Sequence, residues 1–176
     1  MDISANNKWP SLALSNFAPH PFIFDGVECN SMEGLLQSFK FDKPHIQIEV
    51  CKLVGRKAKF RGKKRNKAWK RVQKIWWKGQ EFDRHGKEYQ DLLDRAFNAL
   101  AQNIGFRKAL LATGKSPLTH SIGKSRKPET VITEREFCSR LEKIRSKLQK
   151  NKGRLLVKQT SFCYLHNKKN VVEFIS

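Results

Sequence analysis

The stretch that most constrains this chain is Ser31–Phe41, SMEGLLQSFKF. Ser31 is a strong helix N-cap, because its hydroxyl can accept from an orphan N–H of the first turn. Met32, Leu35, Leu36 and Phe39 then recur at i, i+3, i+4 and i+7, the spacing of one buried helical face. At about 100° per residue, Glu33, Gln37 and Lys40 fall within a sector of roughly 60° beside that face. One helix edge therefore carries an acid, an amide and an amine in a row. Such an edge is either a solvated flank with an i,i+4 polar pair or the wall of a cleft.

The chain has 176 residues, enough for one domain with a core that needs no covalent staples. The fold class expected is α+β, helix-dominated, with a small N-terminal hairpin. Phe22–Cys29 reads as that hairpin, with Asp25-Gly26 as its turn. Pro44 stops the central helix. His45–Lys59 reads as a second helix, Phe60–Asn66 as a basic loop, and Lys67–Lys78 as a helix capped by Asn66 and closed by Gly79. Lys87–Gln102 has the clearest amphipathic pattern, through Tyr89, Leu92, Leu93, Ala96, Phe97 and Leu100. A shorter helix follows over Phe106–Thr113, and Gly114–Glu129 is the longest loop. Thr133 and Glu136 fit a capping box that opens a last helix to about Lys150. The domain is thus expected over residues 1–150. Residues 151–176 read as a basic C-terminal extension with short strands at Leu155–Val157, Phe162–Leu165 and Val171–Ile175.

No apolar run approaches the ~20 residues that cross a bilayer, and the N-terminus lacks a secretory pattern, so a cytoplasmic protein without a membrane partner is expected. The cysteines, Cys29, Cys51, Cys138 and Cys163, form no C-x-x-C pair and have no histidine at zinc-finger spacing. They read as reduced structural thiols, and no metal site or cofactor is expected. Charge is the strongest compositional signal. The net is +20, and residues 52–78 hold 13 Lys/Arg and no acid. Aromatics are interleaved there: Phe60, Trp69, Trp76 and Trp77. Crowding like charge costs self-repulsion, whereas charge for solubility is better mixed in sign. DNA or RNA is the partner that this stretch suits, with phosphates on the cations and bases on the rings. If Trp76 and Trp77 lie on a helix they point about 100° apart, which leaves one free as a stacking platform.

Several motifs, in order along the chain, resemble the YbiA-like, or NADAR, family. Residues 14–41, LSNFAPHPFIFDGVECNSMEGLLQSFKF, are similar to its opening signature: a Ser-Asn-Phe segment, a hairpin, then a helix with Glu, a Gln four residues on and Lys-Phe three after that. Gly55-Arg56, Trp69-Lys70-Arg71-Val72, Leu110-Leu111-Ala112-Thr113-Gly114 and Leu118-Thr119-His120 match later family segments. The resemblance spans roughly residues 14–148 and implies a YbiA-like domain that splits N-glycosidic bonds at ribose C1. Family members act either on riboflavin-pathway intermediates or on ADP-ribosylated guanine. Residues 121–145 carry neither the Trp-Gly-Asp-Gly type segment nor the Asn-x-Leu-Gly of many members, and resemble the phage-type branch. That points to ADP-ribosyl-guanine as substrate and leaves Glu129, Glu134 or Glu136, or no residue, to replace the missing Asp.

Cleaving a C1–N bond builds positive charge on the sugar, so a carboxylate helps, and Glu33 is the candidate. Alternatively a neutral amine attacks C1 of an opened sugar, and Lys40 is the candidate. Seven residues separate the two, with Cα atoms about 10.5 Å apart along the axis, so a ribose fits between them better than a direct ion pair does. Gln37 would hold the ribose or orient Glu33. Asn16 and Phe17 would read and stack the base. Gly55 and Arg56 would take the diphosphate, with Arg84 as a further phosphate candidate and His120 as an acid or donor. The rival readings are a nucleic-acid binder of this fold without catalysis, and a hydrolase of a ribosylated riboflavin-pathway intermediate.

Overall fold

The chain is built around a helix with no solvated side at all. In the computed structural model, which describes residues 1–151, every residue from 31 to 40 is buried. A four-residue helix, α1 (Ser11–Leu14), leads to the strands β1 (Phe22–Phe24) and β2 (Val27–Cys29). They pair antiparallel, Phe22 opposite Cys29, around Asp25 and Gly26 at φ 47° and 80°. Both turn residues are left-handed, as a two-residue hairpin loop requires. The central helix α2 (Met32–Ser38) follows, capped by Ser31 Oγ, which accepts from Gly34 N at 3.0 Å.

Three elements enclose α2: β2, α3 (Pro44–Cys51) and α4 (Gly55–Lys63). The approach is close. A Cβ at Gly34 would stand 2.7 Å from the Leu53 carbonyl oxygen and 2.8 Å from that of Cys51. The linker between α3 and α4 therefore lies directly on the helix, and Ser31 Oγ donates to Leu53 O at 2.9 Å. This is why the expected single helix over 45–59 is two helices. Val54 is extended (φ −126°, ψ 145°) and Gly55 is left-handed (φ 55°), which turns the chain into α4. The same turn makes residues 60–63, read as a basic loop, part of α4. Its inner face is only Ala58 and Gly62, too slight an apolar stripe to register as periodicity.

A second correction follows. Lys67–Lys78 is not one helix. It is α5 (Asn66–Val72), a left-handed Gln73 (φ 54°), and the strand β3 (Lys74–Trp77), which pairs with β4 (Gln80–Asp83), Lys74 opposite Asp83. Ile75 and Trp77 face inward, while Lys74 and Trp76 are half-buried, an alternation of period two. Lys78 and Gly79, at φ 50° and 83°, form its turn. Trp69, Val72, Ile75 and Trp76 fit a helical period as well, and Val72 is exposed in consequence. The two hairpins are clamped together. Trp77 Nε1 donates to Asp25 Oδ2 at 2.9 Å, its ring stacks on Phe24 with centroids 5.3 Å apart, and Arg95 Nη1 reaches Asp25 Oδ1 at 2.8 Å. Buried Gln47 donates to the carbonyls of Phe41 (2.7 Å) and Trp76 (2.8 Å), tying α3 to β3.

The helices α6 (Lys87–Leu100) and α7 (Ile104–Ala112) and a last helix, α8, over 134–151 complete the core. The six apolar positions expected on α6 are all buried. The Thr133–Glu136 capping box forms in both directions, Glu136 N to Thr133 Oγ1 at 3.2 Å and Thr133 N to Glu136 Oε2 at 2.7 Å. The fold is thus helix-rich with two small antiparallel strand pairs among the described residues. Among the described residues no helix is long and apolar enough to cross a membrane. The expected strands beyond residue 151 lie outside the described residues.

Candidate active site

The polar edge of α2 is buried against α4. Glu33, Gln37 and Lys40 are 4%, 3% and 6% exposed, so the edge is no solvated flank. Gln37 Nε2 donates to Glu33 Oε1 at 2.8 Å, and Lys40 Nζ donates to Gln37 Oε1 at 2.6 Å. Acid, amide and amine form one relay, and the Gln37 side chain fills the gap in which a ribose was expected to sit. Gly62 of α4 sets that arrangement. A Cβ there would stand 1.9 Å from Gln37 Oε1 and 2.8 Å from Gln37 Cβ, so only glycine lets α4 close over the amide.

Each end of the relay has a further partner. Glu33 N donates to Asn16 O at 2.8 Å, and Lys59 Nζ stands 3.7 Å from Glu33 Oε1. Among the described residues nothing donates to Glu33 Oε2. Lys40 Nζ donates to Asn66 Oδ1 at 2.8 Å and lies 5.8 Å from the centre of the Trp69 ring. Asn66 was expected to cap a helix with its side chain. It is instead the first residue of α5, and its amide oxygen reaches Lys40. Burial pushes the Lys40 amine down to about 8; Glu33 opposes this, and Lys59 and Lys70 add to it. At pH 7 roughly a tenth of such an amine is neutral, against well under a thousandth for an ordinary lysine. Three buried polar atoms carried by the segments around the relay have no hydrogen-bond partner among the described residues: Asn16 Oδ1, Arg65 Nε and Trp69 Nε1.

The structure brings Asn16, Phe17, Glu33, Gln37, Lys40 and Gly55 together. The Phe17 ring lies 3.8 Å from where a Gly55 Cβ would be, and Arg56 follows Gly55 into the exposed first turn of α4. It does not bring in the rest. Trp77 is a core residue on a strand, and Trp76 packs half-buried against the same core, so neither is a free stacking platform. Arg84 is fully buried. Its Nη1 and Nη2 fork onto Glu136 at 3.1 and 2.7 Å, and its Nε donates to Thr130 O at 2.8 Å, which closes it to phosphate and occupies Glu136. His120 Nδ1 sits 2.7 Å from Ile3 O, and the ring packs edge-on to Phe137. It lines an open pocket of about 430 Å³ with Glu134, Cys138 and Glu142, a pocket that no residue of the relay lines. Sequence reasoning missed Lys59, Gly62, Asn66 and Trp69 as parts of the site. Their proximity to α2 exists only through the turn at Gly55, and no local spacing signals it.

Comparisons with known proteins agree with this architecture. The fold is similar to the NMR structure of the E. coli protein YbiA, with a TM-score of 0.55 over 85% of this chain and 83% of that one, at 18% identity. The sequence is 37% identical over 150 residues to a 17.1 kDa protein of the Gp30-rIII intergenic region of Enterobacteria phage T4, covering 84% of this chain and 98% of the relative. The sequence model of the bacteriophage protein GP30.3 family matches residues 8–146, and the chain belongs to that family.

Proposed function

We propose that the protein is an N-glycosidase that hydrolyses the C1–N bond joining ADP-ribose to guanine and releases free ADP-ribose. The observation that carries this reading is the buried Glu33–Gln37–Lys40 relay, in which a carboxylate keeps one oxygen undonated and burial lowers an amine to about 8. Removing two charged groups from water is costly, and a fold does not need it at a helix edge that could be apolar. The YbiA-like resemblance supports the choice of bond.

Two routes use these groups. In the first, Glu33 faces C1 through Oε2. The C1–N bond breaks with its electron pair leaving on the guanine nitrogen, the carboxylate balances the sugar cation, and a water adds to C1 as Glu33 takes its proton and passes it to the departing guanine nitrogen. In the second, the lone pair of neutral Lys40 attacks C1 of the opened sugar and the guanine amine departs. Water then hydrolyses the imine, returning the amine and freeing ADP-ribose. Phe17 and Gly55-Arg56, beside Glu33, are the groups for the base and the diphosphate.

Incubation with ADP-ribosylated guanosine or DNA should release ADP-ribose, and no release from either at high protein concentration would sink the proposal. The exposed cations of α4 and α5 favour one second reading, a nucleic-acid binder of this fold without catalysis. Glu33→Gln and Lys40→Ala separate the two, because a pure binder keeps its function in both variants. Hydrolysis of a ribosylated riboflavin-pathway intermediate would need no basic surface.

A further inference from the structure

The exposed residues of α4 and α5 are dense in positive charge. Ala58 and Gly62 are the buried residues of α4 and Trp69 that of α5, so nearly everything else on these helices faces water. Like charges recur at i,i+4 along α4, Lys57 with Arg61 and Lys59 with Lys63, each pair destabilising the helix. No acid between residues 52 and 78 relieves them. Among the described residues, this stretch forms two ion pairs, Lys59 with Glu33 at 3.7 Å and Lys74 with Glu81 at 2.9 Å. Two short helices assembled against such repulsion are matched to a polyanion.

Two further observations specify its form. Phe60 is 59% exposed in the middle of this stretch, on the outer side of α4. A ring set among cations stacks on a base that is free of its own stack; in a duplex the bases already stack on one another and leave it no partner. The Glu33–Lys40 relay lies beneath α4, and a base held inside a duplex could not reach it.

We propose that the outer face of α4 and α5 docks a single-stranded nucleic acid, its phosphates along Lys57, Lys63, Lys64, Lys67, Lys70 and Arg71 and a base on Phe60. Lys59, paired with Glu33, joins this face to the relay. The inference deepens the N-glycosidase reading by naming the polymer that carries the modified base, and in that respect rests on it, but its test needs no turnover.

The experiment is fluorescence anisotropy of the full chain with an unmodified labelled strand of about 20 nucleotides, longer than a typical single binding site. The same sequence as a duplex, and heparin, serve as charge controls. With about six phosphates neutralised, the logarithm of affinity should fall against the logarithm of salt with a slope near −4. Lys63→Glu/Lys67→Glu/Arg71→Glu should weaken strand binding by about 100-fold or more, its folding checked by thermal melting. Phe60→Ala, which removes no charge, should weaken the strand about tenfold and leave heparin unchanged. A duplex bound as tightly as the strand, a Phe60→Ala protein indistinguishable from wild type, or a folded triple variant that binds normally would overturn the proposal. Should the triple variant fail to fold, Phe60→Ala and the salt slope decide it. Strand binding that follows these expectations with no ADP-ribose release from either the ADP-ribosylated strand or the nucleoside supports the docking face and refutes the hydrolase.

Discussion

The buried charged clusters around Glu33 and around Arg84 are finished to different degrees. Arg84 and Glu136 meet fork to carboxylate. Glu136 also accepts from Thr133 N and from Gln90 Nε2 at 3.0 Å, and Arg84 donates to Thr130 O. Burial alone would raise the Glu136 carboxyl, but the Arg84 and Thr133 donors outweigh it and hold the group below the usual carboxylate range. Charge and hydrogen-bond capacity are matched, so the cluster has little left to offer a ligand. Glu33 and Lys40 never touch. An amide stands between them, one carboxylate oxygen goes undonated, and the amine sits at about 8. A buried pair that is closed holds elements together; one kept apart by a neutral spacer retains reactivity.

The largest effects should come from the open cluster. Glu33→Gln and Lys40→Met should each lower turnover of ADP-ribosylated guanosine by on the order of 10⁴-fold, with the fold retained, as single-turnover kinetics and circular dichroism will show. Turnover at the wild-type rate in both variants would erase the distinction between the clusters. Next is the closed cluster. Arg84→Met strands the Glu136 carboxylate and should cost about 3–4 kcal/mol in denaturant unfolding. Turnover per folded molecule should stay within about twofold. A loss of turnover there without a loss of stability would mean that Arg84 serves the chemistry.

Gly62→Ala sharpens the comparison, because it reaches the relay without removing any polar group. Its Cβ must displace Gln37, which should cost about 2 kcal/mol of stability and roughly 30-fold in turnover. Adding Gln37→Ser removes the contact with the amide but keeps the one with Cβ and strands Glu33 and Lys40, so neither stability nor activity should recover fully. Recovery of both would show that the amide only fills space.

The smallest effect is a slope. If Lys40 is the nucleophile, the rate should rise with pH through about 8 and then level off, and borohydride during turnover should trap an ADP-ribose adduct on the peptide spanning residues 31–43. A profile flat through that range, with no adduct in an active Lys40→Arg protein, assigns the chemistry to Glu33. The same ionisation appears in stability. The folded amine loses its proton near 8 and the unfolded one at 10.5, so the unfolded chain binds more protons between those values. Stability of the wild type should therefore rise over that window relative to Lys40→Met.

The sequence by itself determined the elements whose partners are their own neighbours. Ser31 and the stripe from Met32 to Phe39 specify α2, Asp25-Gly26 specifies the first hairpin, six apolar positions specify α6, and Thr133 with Glu136 opens α8. The relay residues were legible too, since i,i+3 and i,i+4 spacing alone places Glu33, Gln37 and Lys40 side by side. The family motifs suggested the bond that we propose is cut. Tertiary structure decided everything that depends on distant chain. Lys74–Trp77 satisfies a helical and a strand period equally, and pairing with β4 chose the strand. Residues 45–63 carry no strong apolar stripe, and the close approach of the α3–α4 linker to Gly34 chose the break. Asn66 lies 26 residues from Lys40 in sequence, and Arg84 lies 52 from Glu136. Periodicity reports which way a side chain faces from its own backbone. Whether that direction meets water, a closed ion pair or the open end of a relay is fixed by which other segment arrives there.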